Sequence, residues 1–90
     1  MPRVRIPTPL RSLTDGKNSV DIDATNVGDL VEKLNAAHPG FSERILDEDG
    51  ELRRFVNIYV DGEDIRYREG FDTEVGPNDE VSIVPSVAGG

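Results

Sequence analysis

Residues 25–40, TNVGDLVEKLNAAHPG, carry the strongest secondary-structure signal in this 90-residue chain. Their apolar side chains recur at i, i+3, i+4, i+7 and i+10, which places them on one face of an α-helix. Thr25 or Asn26 is a suitable N-cap, and the His-Pro-Gly sequence at 38–40 ends the pattern. We therefore predict one amphipathic helix over residues 26–37. Its apolar face consists of Val27, Leu30, Val31, Leu34 and Ala37.

Five segments with the composition and alternation of β-strands flank this helix. Two precede it and form a hairpin around the turn at residues 15–18. Three follow it, and the Asp61-Gly62 turn joins the first two of them. The strands are predicted at Val4–Ile6, at Val20–Ile22, over Phe55–Val60, near Ile65–Tyr67 and over Glu80–Val84. The predicted order of elements is β-β-α-β-β-β.

A sheet with one apolar face needs a cover, and the single amphipathic helix supplies it. One helix across a mixed sheet of four or five strands is an α+β fold of the β-grasp, or ubiquitin-like, type. We expect the first and last strands to lie side by side in its centre, and Ile45 and Leu46 to anchor a short helical turn to the core. The length allows one domain. We place the domain at residues 1–85 and a flexible tail at residues 86–90.

The composition excludes several kinds of active site. The chain has no cysteine, so it has no disulfide, catalytic thiol or thiol-based zinc site. His38 is the only histidine and has no partner to share a metal ion. Neither a glycine-rich phosphate loop nor a serine–histidine arrangement with a third group is present. We therefore expect a chain that is not an enzyme and binds no cofactor or metal of its own.

The charge and hydropathy of the chain bound its partners. The formal net charge is −8, which disfavours nucleic acid. A basic groove on a partner protein would complement this charge, although solubility alone also explains it. No apolar run is long enough for a membrane helix, and the N-terminus lacks a secretory h-region. We expect a cytoplasmic protein that binds neither nucleic acid nor a membrane.

The C-terminus is the most informative functional feature of the chain. After Val87 and Ala88 the sequence ends in Gly89 and Gly90. Because glycine lacks Cβ, such an end can pass through a narrow channel and present its carboxylate to the active site of another protein. A frayed terminus is the alternative. If the C-terminus enters a partner's active site, the reacting group is the Gly90 carboxylate. Gly89, Ala88 and Val87 then form the part of the chain that enters the site.

A docking surface for such a partner is predicted on the third strand. Phe55 and Tyr59 share the strand face opposite to the aliphatic side chains that should meet the helix, so they are candidates for an interface. Ordinary cross-strand packing is the alternative. Arg53 and Arg54, just before this strand, form a small basic spot that can pair with Glu51 or with a partner's carboxylate.

Segments spread over the whole chain are similar to one known family. They are Thr25–Leu34, Ser42–Arg44, Arg54–Val60, Glu63–Asp64, Val81–Ile83 and Val87–Gly90. On these segments the chain resembles the ThiS/MoaD family of ubiquitin-like sulfur carriers, which end in Gly-Gly. The short thiamin carriers of that family lack a segment comparable to Phe41–Arg54. The resemblance is therefore to its cysteine-forming branch.

The resemblance implies a cycle carried out by three partner enzymes. A ubiquitin-activating-like adenylyltransferase and sulfurtransferase would join AMP from ATP to the Gly90 carboxylate, and sulfur would then replace AMP to give a thiocarboxylate. A cysteine-synthase-like pyridoxal-phosphate enzyme would offer an acceptor derived from O-phosphoserine, and a zinc metallopeptidase would release cysteine. ATP, pyridoxal phosphate and zinc would belong to these partners.

Three other functions stay open at the level of the sequence. The chain resembles, as a second choice within the family, the small subunit of molybdopterin synthase. It also has the features of a protein modifier joined to lysines through Gly90. The third possibility belongs to a different class of protein. It is a non-covalent binding module whose Gly-Gly end has no role.

Overall fold

The computed structural model describes residues 1–85. In it, the helix predicted from the apolar spacing is α1, Val27–Ala37. Asn26 is its N-cap, and the Asn26 side-chain oxygen accepts a hydrogen bond of 2.7 Å from the backbone N–H of Asp29. This bond satisfies one of the N–H groups that the first turn leaves without a partner. Four of the five predicted apolar positions are buried. Ala37, the last residue of the helix, is exposed.

Five strands form a single mixed sheet in the order β2-β1-β5-β3-β4. They are β1 (Arg3–Arg5), β2 (Ser19–Asp21), β3 (Val56–Val60), β4 (Glu63–Asp64) and β5 (Glu80–Pro85). β1 and β5 are parallel, and the other neighbouring pairs are antiparallel. The predicted β-β-α-β-β-β order is confirmed, as is the central pairing of the first and last strands.

The core lies between this sheet and α1. Alternate residues of β1, β3 and β5 are buried, as the period of a strand requires. A second short helix, α2 (Phe41–Ile45), closes one side of the core with Phe41 and Ile45, both fully buried. Leu46 follows it and is partly buried against the core. The predicted helical turn anchored by Ile45 and Leu46 is therefore confirmed.

The N-terminal hairpin differs from the prediction in its connection. β1 and β2 pair as expected, but a 3-10 helix at Thr8–Thr14 joins them. The sequence analysis did not predict this helix. Pro9 is well placed in the first turn of this helix. The N–H that proline lacks would have no partner there. Its Leu10 is buried in the core, and the hydroxyl of buried Thr14 donates a 2.8 Å hydrogen bond to the Lys17 carbonyl.

The strand predicted near Ile65–Tyr67 is wrong. The two-residue turn at Asp61 and Gly62 has φ values of 50° and 88°, as a tight hairpin turn requires, so β4 starts directly at Glu63. Ile65–Tyr67 is a 3-10 turn instead, because the Asp64 side chain accepts a 2.8 Å hydrogen bond from the Arg66 N–H and ends the strand.

Gly40 connects the two helices and cannot be replaced by a residue with a side chain without strain. Its φ is +115°, and a Cβ built on it would lie 2.9 Å from Cδ2 of Leu13. Glycine alone adopts this φ readily and leaves room for the leucine. Gly40, the last residue of the His-Pro-Gly sequence that ends α1, therefore also allows close contact with the 3-10 helix at Thr8–Thr14.

Candidate functional site at the end of the last strand

The described part of the chain ends beside the predicted docking residues. β5 ends at Pro85, which pairs with Val56, the first residue of β3. Because the two strands are antiparallel, the residues just before Val56 lie at the same end of the sheet. We call this region the Pro85 end and define it by a fixed set of residues. The set is Arg11, Arg53, Arg54, Phe55, Asn57, Arg66 and Val84.

The predicted tail residues themselves, Gly90, Gly89, Ala88 and Val87, lie outside the described residues. Their roles, and the predicted boundary between a domain and a tail, stay predictions. What the structure adds is the position of Pro85, the residue from which this tail continues. Pro85 lies on the central strand of the sheet, between β1 and β3.

Two apolar side chains at the Pro85 end are exposed. Phe55 is 43% exposed and Val84 is 42% exposed. Val84 pairs with Asn57, so its side chain shares the outer sheet face with that residue. Phe55 precedes β3 and is not part of the strand, contrary to the prediction, because the Val56 N–H donates a 3.0 Å hydrogen bond to the Arg53 carbonyl oxygen and so closes a turn there. Both exposed apolar residues are therefore direct chain neighbours of the pair formed by Val56 and Pro85.

Tyr59 lies farther from this spot. It is half-buried in the middle of the sheet, between Ser82 of β5 and Asp64 of β4. Of the four predicted docking residues, the structure brings Arg53, Arg54 and Phe55 together. Their use by a partner stays a prediction.

Arg66 is the residue that the sequence analysis missed. Its guanidinium group donates hydrogen bonds to the carbonyl oxygens of Arg53 (3.0 Å) and Val56 (2.9 Å) and to the side-chain oxygen of Asn57. It therefore fixes the backbone that carries Arg54 and Phe55. The hairpin contained a signal, since continuing the Val60–Glu63 register beyond the end of β4 at Asp64 leads to Arg66 opposite Asn57.

Two more arginines at this end are held in the same way. Arg53 donates to the Glu43 carbonyl oxygen at 3.2 Å, and Nε of Arg11 donates to the Ile6 carbonyl oxygen at 3.1 Å. Within residues 1–85, no guanidinium nitrogen of Arg11, Arg53 or Arg66 lies within 4.0 Å of a carboxylate oxygen. Neutral acceptors orient these groups without cancelling their charge. The suggested pairing of Arg53 or Arg54 with Glu51 is likewise not found in this part of the chain.

The opposite end of the sheet, which we call the Glu80 end, is acidic. It is defined by the start of β5 and the loops around it, and its charged residues are Arg3, Asp21, Asp61, Glu63, Arg68, Asp72, Glu74, Asp79 and Glu80. Here the cations are paired: Arg3 lies 3.9 Å from Asp21, and Arg68 lies 3.8 Å from Glu63. The Pro85 end is mixed in charge by comparison, since Arg53 lines one surface hollow together with Glu43, Asp47 and Glu48.

Asp79 shows how the acidic end is built. Its carboxylate accepts a 2.7 Å hydrogen bond from the Gly76 N–H. This bond, and secondarily a hydrogen bond involving the Asp61 side chain, lowers the pKa of Asp79 below its ordinary value of 3.8. Asp61 in turn accepts a 2.9 Å hydrogen bond from the Glu80 N–H. Asp79 thus holds a turn in place, and its lowered pKa keeps its carboxylate ionised at neutral pH.

Two further features of the described residues bear on the predicted partners. Residues 1–85 contain no cluster of three or more acidic or histidine side chains arranged around a metal ion. No helix in residues 1–85 has the length and apolar character to span a bilayer. The expected lack of a bound cofactor stays a prediction.

Comparison with known proteins places these features in one family. The model of the ThiS family matches residues 4–90. Sulfur carrier protein CysO of Mycobacterium tuberculosis (strain ATCC 25618 / H37Rv) is 45% identical over 89 residues, which are 97% of this chain and 96% of that protein.

Two other similarities are informative. A chain in the crystal structure of the Amycolatopsis orientalis BexX/CysO complex superposes with a TM-score of 0.92, at 38% identity and with both chains covered completely. Small archaeal modifier protein 3 of Haloferax volcanii is 41% identical over 71 residues, which are 79% of this chain and 75% of that protein. The ubiquitin-like β-grasp fold predicted from the order of the strands is thereby confirmed.

Proposed function

Because the chain belongs to the ThiS family, we propose that it is a sulfur carrier whose working group is the carboxylate of Gly90. The observation that carries the proposal is the family match, which runs to residue 90 and so includes the Gly-Gly end. A nearly full-length relative at 45% identity is named a sulfur carrier. The chain is then the substrate of its partner enzymes and performs no catalysis itself.

The proposed chemistry overcomes the low reactivity of a carboxylate. On an adenylyltransferase of the ubiquitin-activating type, a Gly90 carboxylate oxygen attacks the α-phosphate of ATP and displaces pyrophosphate. A sulfur nucleophile then attacks the acyl carbon and displaces AMP, which leaves a thiocarboxylate on Gly90. The thiocarboxylate is anionic at neutral pH and carries its charge on a nucleophilic sulfur. No redox step on the carrier is needed for this exchange.

The proposed destination of the sulfur is cysteine. A cysteine-synthase-like pyridoxal-phosphate enzyme would supply an acceptor made from O-phosphoserine, to which the thiocarboxylate sulfur adds. An acyl shift from sulfur to nitrogen then links cysteine to Gly90 through an amide bond, and a zinc metallopeptidase hydrolyses this bond. Support comes from the similarity to CysO, and the structure of a BexX/CysO complex shows that a similar chain assembles with another protein.

Intact-protein mass spectrometry tests the carrier proposal directly. The chain is expressed alone and together with the adenylyltransferase of the same genome, and sulfide is supplied in both cultures. Co-expression is expected to raise the mass by the difference between one sulfur and one oxygen atom. A peptide from the C-terminus must carry the whole increase.

The matched control is a chain that lacks Gly90 and ends in Gly89. It still ends in glycine and keeps every residue of the core, so a mass increase in this variant would contradict the assignment to Gly90. A wild-type chain whose mass never changes with the active enzyme present would rule out the carrier function.

Protein modification is the second candidate, because a 41% identical relative is named a modifier protein. In that case Gly90 would form an isopeptide bond with lysines of other proteins. A denaturing blot of cell extract against the tagged chain distinguishes the two functions. A ladder of bands that survives thiols and boiling supports the modifier, and a single band supports the carrier alone.

A further inference from the structure

We propose that the helical side of the domain binds a basic, partly apolar segment of another protein. The surface consists of two adjacent hollows beside α1 and α2, which we call the α1–α2 groove. Its apolar floor consists of Val31, Leu46 and Phe71. Its rim carries the carboxylates of Glu32, Glu43, Asp47 and Glu48. The inference goes beyond the proposed function, because it involves neither Gly90 nor the outer face of the sheet.

The floor of the groove is apolar surface that the core leaves uncovered. Leu46 and Phe71 are only partly buried against the core, and they line a hollow of about 290 Å³. Gly28 brings Phe71 close to α1, since a Cβ on this glycine would lie 3.3 Å from the Phe71 carbonyl oxygen. A Cβ on Gly50 would meet no atom within 4 Å. The hollow is therefore open at Gly50 and can receive a side chain from outside.

The acidic rim continues from this hollow into a second one. The second hollow has a volume of about 430 Å³ and shares Ser42, Leu46 and Gly50 with the first, so the two lie side by side. Within residues 1–85, none of the four rim carboxylates lies within 4.0 Å of a lysine or arginine nitrogen. Their charges are therefore available to a partner.

The turn that carries part of the rim is held in place. Oδ1 of Asp47 accepts hydrogen bonds from the backbone N–H groups of Asp49 at 2.9 Å and of Glu51 at 3.1 Å. The Glu51 carbonyl oxygen accepts a 2.8 Å hydrogen bond from the Asp47 N–H. The carboxylate of Asp47 thus has a fixed position before any partner binds, which lowers the entropy cost of binding.

The basic residues around the groove do not cancel its charge. Arg53 is the one cation among the residues that line the two hollows, and its guanidinium group donates to the Glu43 carbonyl oxygen at 3.2 Å. Residues 41–54 as a whole carry five carboxylates against three arginines, and α1 carries two carboxylates against one lysine. The elements that form the groove are therefore acidic as well.

Size and charge together favour a basic protein segment as the occupant. The apolar hollow is slightly smaller than the sites of about 300–1,000 Å³ that enclose small-molecule ligands, and it suits a single apolar side chain. Carboxylates on the rim repel the phosphates of nucleic acids and of anionic lipids. Lysine and arginine have apolar stems and cationic heads, so they can lie along the floor and reach the rim. A leucine next to lysine or arginine provides both kinds of contact.

Nuclear magnetic resonance of the full ¹⁵N-labelled chain tests the proposal with a defined probe. The probe is the acetylated and amidated peptide Lys-Leu-Leu-Arg-Lys-Leu-Leu-Arg. Saturable shifts are expected for the amides of Gly28, Ser42 and Gly50, which line the groove. The amides of Gly16 and Gly62, in two turns outside it, should not shift. A peptide that does not bind, or equal shifts at all of these amides, would overturn the proposal.

A second peptide separates the apolar contact from attraction by the net charge of −8. In this peptide glutamine replaces every leucine, so the charge is kept and the apolar side chains are lost. Its affinity is expected to be about tenfold lower, because nothing then fills the apolar hollow. Equal affinity of the two peptides would show that charge alone attracts them, and no groove would be involved.

Charge reversals on the chain locate the contact. Glu32→Lys and Glu48→Lys act on the rim, and Glu63→Lys is the matched control on β4. All three residues are exposed and all three substitutions change the net charge equally. Each rim variant is expected to bind the leucine peptide about fivefold more weakly, because a partner's cation then meets a like charge. The control should stay within about twofold of the wild type. Equal effects of the three variants would contradict binding at the groove.

Two other occupants of the groove would overturn the proposal. Shifts of the Gly28, Ser42 and Gly50 amides on dilution of the chain without peptide would identify a second copy. Shifts of the same amides on deletion of residues 86–90 would identify the C-terminal segment. A chain that lacks only Gly90 is expected to bind the leucine peptide as the wild type does. Failure of the carrier function and failure of this inference are therefore observed separately.

Discussion

The two ends of the central strand hold their charged side chains in opposite ways. At the Pro85 end, arginines donate to backbone carbonyl oxygens, as Arg66 does to Arg53 and Val56. At the Glu80 end, carboxylates accept from backbone N–H groups, as Asp79 does from Gly76. In both places a side chain satisfies backbone groups that the sheet leaves without partners. The same structural task is therefore performed by arginines at one end of the strand and by carboxylates at the other.

This difference shows why net charge is a poor guide to the partner of a small protein. A chain with a total charge of −8 still presents arginines around the point from which its C-terminus continues. Screening reduces the influence of exposed charges beyond about 8–10 Å in physiological salt, so a docking enzyme responds mainly to the charges close to it. At the Glu80 end, Asp79 and Asp61 accept hydrogen bonds from the backbone N–H groups of Gly76 and Glu80.

Deletion of Gly90 should have the largest effect on function. It tests the role of the C-terminus independently of the stability of the domain. Sulfur loading is expected to be abolished, because the reacting carboxylate is displaced by one residue. The midpoint of thermal unfolding should not change, because every core residue lies between Val4 and Ile83. Mass spectrometry and differential scanning calorimetry on the same preparation check both parts. A lower unfolding temperature would show that Gly90 contributes to the fold.

Arg66→Ala should weaken the Pro85 end, and Arg68→Ala is its matched control near the Glu80 end. Loss of the three Arg66 hydrogen bonds is expected to reduce the free energy of unfolding by about 1–2 kcal/mol. The Arg68 ion pair is exposed and long, so its loss should cost about 0.5 kcal/mol or less. Urea unfolding of both variants measures the difference, and equal values would contradict the role assigned to Arg66.

Asn26→Ala tests the start of α1, which lies at the Glu80 end. Removal of the cap to the Asp29 N–H is expected to cost about 1 kcal/mol. Thr25→Ala is the control, since the sequence allowed either residue as the cap and the structure selects Asn26. Urea titrations should place Thr25→Ala within about 0.5 kcal/mol of the wild type. A larger loss of stability in Thr25→Ala than in Asn26→Ala would show that Thr25 is the N-cap.

Asp79→Asn should have the smallest effect and one that depends on pH. The pKa of Asp79 is lowered in the folded chain, so its charge stabilises the fold at pH values above 3.8, the ordinary value for an unfolded chain. This contribution is lost as the pH falls through the lower folded pKa. Unfolding of the two proteins should differ slightly at pH 7 and converge in strong acid. A difference that grows on acidification would contradict the direction of the shift.

The elements that the sequence predicted well are those with a strong local pattern. α1 follows from its apolar spacing, and β3 and β5 follow from their alternation, because each side chain there reports directly whether it faces the core. The 3-10 helix at Thr8–Thr14 has no comparable period, since Leu10 and Thr14 are buried by contact with distant elements. The short β4 was displaced by two residues, because the tight turn and the Asp64 hydrogen bond decide where pairing stops.

The helix, the order of helix and strands along the chain, the lack of cysteine and the Gly-Gly end could all be predicted from the sequence, because they depend on residue identity and local spacing. The tertiary structure was needed to show that Arg66 holds the start of β3 and that Phe55 and Val84 are both exposed beside the pair of Val56 and Pro85. These features join residues that are 10 to 29 positions apart along the chain. Such neighbours are set by the register of strands around a common core, which no local pattern in the sequence specifies.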